Sequence, residues 1–192
     1  MKFDLEKLIE KFTCGDDNQA EESAKILSNL GKSIIPELMD LLESNVEDKR
    51  WWAVRTISSM EDPPADIFDN MLSDESIEVR KCAALSISHH PTANAIEKLI
   101  ELIADKDPLM SNLAANALIA IGNKSIMSLL ENISSLEGLG RIEAYRAIAN
   151  IVDKNAITIL MDGLEDDSYL VNYWAEEGLT KLGLDMVYIK PK

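Results

Sequence analysis

Cysteine is nearly absent. Cys14 and Cys82 are the only two in 192 residues, which excludes a disulfide framework and a cysteine-rich metal cluster. Histidine is limited to the adjacent pair His89 and His90. Neighbours on a helix point about 100° apart, so these two cannot jointly chelate one ion. Positive charge is in deficit: 19 Lys and Arg stand against 34 Asp and Glu, a net charge of −15. A field of that sign repels phosphate and anionic lipid, so the expectation is no nucleic-acid and no membrane partner. No apolar run approaches the roughly 20 residues of a membrane span. Residues 1–7 are charged and amphipathic, unlike a secretory leader, and the expected compartment is cytoplasmic. Glycine-rich phosphate loops and nucleophile elbows are missing too. Cys82 and His89 are two turns apart on one face, about 10 Å along a helix, too far for a direct thiol–imidazole pair. The expectation is therefore no catalytic residue, no metal and no cofactor.

What the chain does contain is a repeat. With 46% apolar and 28% charged residues it has the composition of a folded protein. The frame of residues 110–122 returns at 171–183, at 79–87 and at 140–151, with weaker copies starting at Lys49 and Gln19. The six starts are spaced 30, 30, 31, 30 and 31 residues, which coincidence does not produce. Each unit reads as two helices. In the second, frame positions 1, 5, 9 and 12 are mostly apolar or small, one buried helical stripe. Position 5 is Ser23, Ala53, Ala83, Ala114, Ala144 and Ala175, small enough for close helix approach. Position 9 is Leu27, Ile57, Ile87, Leu118, Ile148 and Leu179, the core anchors. Asp16, Ser76, Asp107 and Ser168 are placed to cap these helices, with Pro108 at the first position of one. Gly31, Gly122 and Gly183 are placed to end three of them. First helices are expected over 3–12, 33–42, 95–104 and 156–164. One helix pair cannot bury its own apolar face, so pairs must stack. The expected pairs are 1–31, 32–61, 62–91, 92–122, 123–152 and 153–183, in one array with 184–192 as a C-terminal cap.

The Val79-Arg80 and Ala83-Ala84 motif, Asp74 and Asp105 five residues before position 1, and the ending at Gly122 resemble HEAT repeats. The period of 30–31 residues resembles the short HEAT-like type first associated with phycobilisome lyases. That likeness implies an all-α fold, a right-handed α-α superhelix of about six pairs. There are departures. Ala20, Ser111 and Asn172 stand where the family has arginine, and Ser135 where it has aspartate. The resemblance further implies that positions −2, −1, 3, 4, 7 and 11 of the second helix line a concave face. The buried stripe independently turns positions 3, 7 and 11 away from the core.

Those columns collect Trp51, Trp52, Tyr173 and Trp174, with Tyr169 beside the last two. Leu85, His89, Leu109, Leu113 and Ile142 add apolar surface, and Arg55, Lys81 and Arg146 add charge. Asp17, Glu21, Glu22, Glu47 and Asp48 make one end acidic. Large aromatic side chains on an exposed face suggest a binding patch. Position 4 also lies close to the core stripe, so Trp52 and Trp174 are alternatively wedges between adjacent helices. Asp40, Asn70, Glu101, Glu131 and Asp162 recur at the ends of the first helices, either as a docking stripe or as a solvated outer face. The expected function is a non-enzymatic protein-interaction module for a basic protein or peptide. Alternatives are an immunity protein or inhibitor of a basic toxin or enzyme, a chromophore-lyase-like accessory factor, and a DNA-glycosylase-like HEAT protein.

Overall fold

A computed structural model describes residues 5–184. Phe3 and residues 185–192, assigned above to the first helix and the cap, lie outside the described residues. Among the described residues there are twelve α-helices and no strand. The chain divides into two compact units between His90 and Pro91.

The first unit holds α1 (Leu5–Glu10), α2 (Asp17–Ser28), α3 (Ile35–Leu42), α4 (Glu47–Ser58), α5 (Asp66–Met71) and α6 (Ile77–His89). The second holds α7 (Ile96–Ile103), α8 (Pro108–Ile121), α9 (Asn123–Asn132), α10 (Gly138–Ile151), α11 (Ile157–Gly163) and α12 (Tyr169–Lys181). Each first helix packs on its own second helix. The second helices then stack in register, α2 on α4 on α6 in one unit and α8 on α10 on α12 in the other. Short 3₁₀ turns precede α3, α7 and α11, so these helices start one to two residues later than the apolar pattern predicts. Phe12 falls in such a turn after α1 and is buried there.

The six anchors at position 9 are buried, and so is every residue at position 5. The buried surface is wider than one stripe. Positions 6 and 8 are largely inside as well, because a stacked helix is covered by its partner and by flanking second helices. Thr56 and Ser86 satisfy their buried hydroxyls by donating to the carbonyls of Trp52 (2.6 Å) and Cys82 (2.7 Å) one turn back. Position 12 is half-buried or exposed in five of the six copies, Met60 being the exception.

Capping follows the sequence at three helices. Asp16, Ser76 and Asp107 each accept from two main-chain N–H groups at the start of α2, α6 and α8. Ser168 occupies the same position on α12, but its hydroxyl makes no capping bond. The Asp166 carboxylate accepts from the Ser168 N–H at 2.8 Å, as Asp74 and Asp105 do from Ser76 and Asp107. Polar joints link successive repeats. Arg50 donates through Nε and Nη2 to both carboxylate oxygens of Asp74, at 2.8 and 2.9 Å, and through Nη1 to the Ser44 carbonyl. Arg141 pairs with Asp166 at 2.5 Å. Where the arginine is missing, Ser111 donates to the Ile103 carbonyl and Asn172 to the carbonyls of Gly163 and Asp166.

The residue after α10 is Val152, with φ +58°. The equivalent residues after α8 and α12 are Gly122 and Gly183, at φ +72° and +78°. A left-handed L-residue costs about 1–2 kcal/mol, and glycine's own entropy cost is about 0.5–1 kcal/mol. Val152 is 40% exposed, so part of its burial is forfeited as well. Val152→Gly is expected to stabilise the protein by roughly 0.5 kcal/mol, read as a rise of a degree or two in the thermal midpoint. A fall in the midpoint would contradict the strain assigned here.

Candidate functional site

In the first unit the two adjacent tryptophans divide. Trp52 is buried and stacks on Phe12, with ring centres 5.8 Å apart and planes 16° apart. It is a wedge between elements, with 8% of its surface exposed. Trp51 is half-buried and meets Trp52 edge-on at 4.8 Å. Cys82 and Glu143, at the same frame position as Trp52, are buried too. The assignment of position 4 to the concave surface is thus corrected for these three residues, since that position packs toward the next helix. Glu22 remains exposed there, and Leu113 and Trp174 are half-buried.

Burial pushes the Cys82 thiol up to about 12, against a smaller downward pull from Arg55. It is therefore a protonated core thiol with no nucleophilic character. His90 binds the Ser58 carbonyl through Nε2 at 2.9 Å and stacks on Phe68, whereas His89 is exposed. Among the described residues no group of three or more His, Cys, Asp or Glu is placed to hold a metal ion.

The charged candidates are mostly engaged. Arg55 pairs with Glu21 of α2 at 2.8 Å, which joins a predicted basic contact to the predicted acidic end. Lys81 pairs with Glu78 at 3.0 Å. Asp17, Glu22, Glu47 and Asp48 are exposed. Asp17 and Asp48 border a cavity of about 50 Å³ beside Trp52, too small for more than a water or two. Leu85 is exposed on α6. The five residues of the first-helix row, Asp40, Asn70, Glu101, Glu131 and Asp162, are all exposed.

In the second unit Arg146 is consumed by a local network. Its Nε donates to Glu143 at 2.6 Å and its Nη1 to the Asn116 side chain at 2.9 Å. Asn150 donates to the Arg146 carbonyl and accepts from Lys181, extending the row to α12. Ile142 and Leu113 are half-buried beside it, and Leu109 is exposed on α8. The most open aromatic surface is on α12. Tyr169 is 78% exposed and Tyr173 42%, one turn apart on the same side. Trp174 is half-buried and meets Tyr173 edge-on at 5.0 Å.

Beside this surface lies a feature the sequence reading missed. A cavity of about 600 Å³ opens between the turn before α10 and the turn before α12. Glu137, Asp162, Glu165, Asp166 and Asp167 line it, with Leu136, Ile142 and Val171 as apolar wall and Arg141 as its one base. The run from Glu165 to Asp167 was the available signal, and by itself it reads as a solvated loop.

No family model matches the chain, and no curated protein sequence matches it. Solved structures do. One engineered protein is 23% identical with a TM-score of 0.57, over 93% of this chain and 98% of its own. A second engineered protein is 21% identical with a TM-score of 0.53, over 94% and 96%. A designed armadillo repeat protein, solved in complex with the peptide (KR)4, is 19% identical with a TM-score of 0.54, over 93% and 99%. Similarity at this level shows the fold: the chain has the all-α superhelix architecture of helical-repeat proteins. No described helix is long and apolar enough to cross a membrane.

Proposed function

We propose that this protein is a non-enzymatic binding module for a protein or peptide of basic character. The observation that carries this reading is the presentation of Tyr169 and Tyr173 to solvent on a second-helix face. Aromatic side chains bury much area on association at modest entropy cost. An acidic chain of net charge −15 attracts basic partners and speeds their encounter. The designed armadillo neighbour binds a Lys/Arg peptide, which supports the same class of ligand for this shared fold. The same acidity supports a protein ligand over DNA, and a role as inhibitor of a basic enzyme is one use of such a surface. The period of 30–31 residues keeps the chain closest to short HEAT-like repeats in our reading, with a cytoplasmic setting.

The test is a pull-down from native lysate with wild type and Tyr169→Ala/Tyr173→Ala, followed by mass spectrometry. Truncating two interface aromatic residues commonly weakens binding at least tenfold. The expected result is a basic protein retained by wild type and lost by a variant whose circular dichroism is unchanged. Equal retention by both forms would move binding off α12 and defeat the reading.

A further inference from the structure

We infer that the exposed aromatic face of α12, with the cavity at its N-terminal end, is an arginine-selective docking surface. This rests on the binding reading above and names the chemistry of its partner: a segment carrying closely spaced arginines.

The geometry joins two kinds of surface. Tyr169 follows directly on Ser168, which lines the cavity, and Tyr173 lies one turn further along the same side of α12. The aromatic face and the cavity therefore share the N-terminal end of α12, with neither tyrosine in the cavity wall. The cavity wall combines Leu136, Ile142 and Val171 with the carboxylates of Glu137, Asp162 and Asp167. A long side chain with an apolar stem and a cationic head matches that division. Its volume of about 600 Å³ accommodates such a side chain with solvent to spare.

Charge complementarity selects the occupant. Five carboxylates face one guanidinium, and Arg141 is already engaged with Asp166 at 2.5 Å. The N-terminus of α12 adds only about half a positive charge, so the mouth stays negative. Anionic ligands are repelled, and so is a second copy of this chain, which would bring the same acids. Between the two basic side chains, arginine fits better. Its guanidinium is planar and weakly hydrated, and it stacks on aromatic faces such as Tyr169 and Tyr173, whereas the lysine ammonium is a compact hydrated charge. In an extended segment alternate side chains share one face about 7 Å apart. One arginine then stacks on α12 while the next enters the cavity.

Calorimetric titration of the full chain tests this with two octapeptides, one alternating Lys and Arg and one all Lys. The alternating peptide is expected to bind at least tenfold tighter. Asp162→Asn/Asp167→Asn should weaken it at least tenfold at low salt, and Tyr169→Ala/Tyr173→Ala should bring the Arg-to-Lys ratio near one. Both variants change exposed side chains, so their circular dichroism should match wild type. Equal affinity of wild type for both peptides, or no effect of the Asp162/Asp167 variant, overturns the inference. If lysate capture still depends on Tyr169 and Tyr173, the broader reading survives that result. Sedimentation showing self-association lost in the Tyr169/Tyr173 variant would assign the face to a second copy and also overturn it.

Discussion

Asp74→Asn is expected to destabilise the first unit by about 3 kcal/mol, the lower end of what breaking a buried ion pair costs. In a unit of this size that corresponds to a fall of roughly 15 °C in its thermal midpoint. The Arg50 and Asp74 side chains are only 7% and 6% exposed, and they meet through two parallel hydrogen bonds. Asparagine keeps the shape and one acceptor, but it leaves a guanidinium buried without its counter-charge. Glu75 lies 3.1 Å from the same guanidinium, yet it is 82% exposed and too well screened to replace Asp74. Asp74 also accepts from the Ser76 N–H at 2.7 Å, and its main-chain carbonyl accepts from Arg80. One carboxylate thus ties α4 to the start of α6.

The effect carries a pH signature. Burial alone would raise the Asp74 value, but the Arg50 hydrogen bonds, the Ser76 N–H and the charges of Arg50 and Arg80 outweigh it and hold it below 3.8. A carboxylate depressed on folding stabilises the native state above its unfolded value. That contribution is lost as pH falls through the folded value. The gap between wild type and Asp74→Asn should therefore be full at neutral pH and close progressively below pH 3.8. Urea unfolding at several pH values measures it. A gap under about 1 kcal/mol at pH 7, the worth of an exposed pair, or one that ignores pH, would show the pair to be ordinary surface electrostatics.

How far the residues themselves announced this molecule depends on how local each signal is. The period is legible because stacking demands the same small residue and the same anchor in every copy. Ala53, Ala83 and Ala114, with Ile57, Ile87 and Leu118, are all buried as that logic requires. Caps are local as well, and Asp16, Ser76 and Asp107 perform as expected. Ser168 does not, although the aspartate two residues earlier accepts from its N–H just as Asp74 and Asp105 do at Ser76 and Asp107. Position 4 is harder to read. Its burial is decided by the neighbouring helix, so Trp52, Cys82 and Glu143 look like surface in a single-helix projection. Gly140 is another tertiary effect: a Cβ there would lie 2.9 Å from the Ile103 carbonyl oxygen, so α10 needs glycine where three other repeats carry Val79, Met110 and Val171. The loop-edge cavity forms from residues 136–142 and 162–171, segments 20 or more residues apart, and no local pattern marks it.

Trp52→Ala should cost about 3–5 kcal/mol, the range for truncating a buried aromatic ring, whereas Trp51→Ala should cost about 1 kcal/mol. These residues are adjacent and identical in type, and by sequence Trp52 has the alternative of a wedge between helices. Their environments separate them. The Trp52 ring is 8% exposed and stacked on Phe12, itself 2% exposed, so its removal opens a void bounded by α4 and the turn after α1. Trp51 loses mainly its edge-on contact with Trp52 at 4.8 Å. The measurement is urea unfolding of both variants followed by far-ultraviolet circular dichroism. Trp52→Phe supplies the control: it preserves the stack on Phe12 with a smaller ring and should recover more than half of the loss. If both alanine variants lose the same stability, the two rings share one buried site. If neither does, Trp52 is no part of the core, and its removal from the list of ligand contacts has to be withdrawn. A variant of Trp51 that folds normally is then the means to ask whether the first unit takes part in binding, a question Trp52→Ala cannot answer because it perturbs the fold itself.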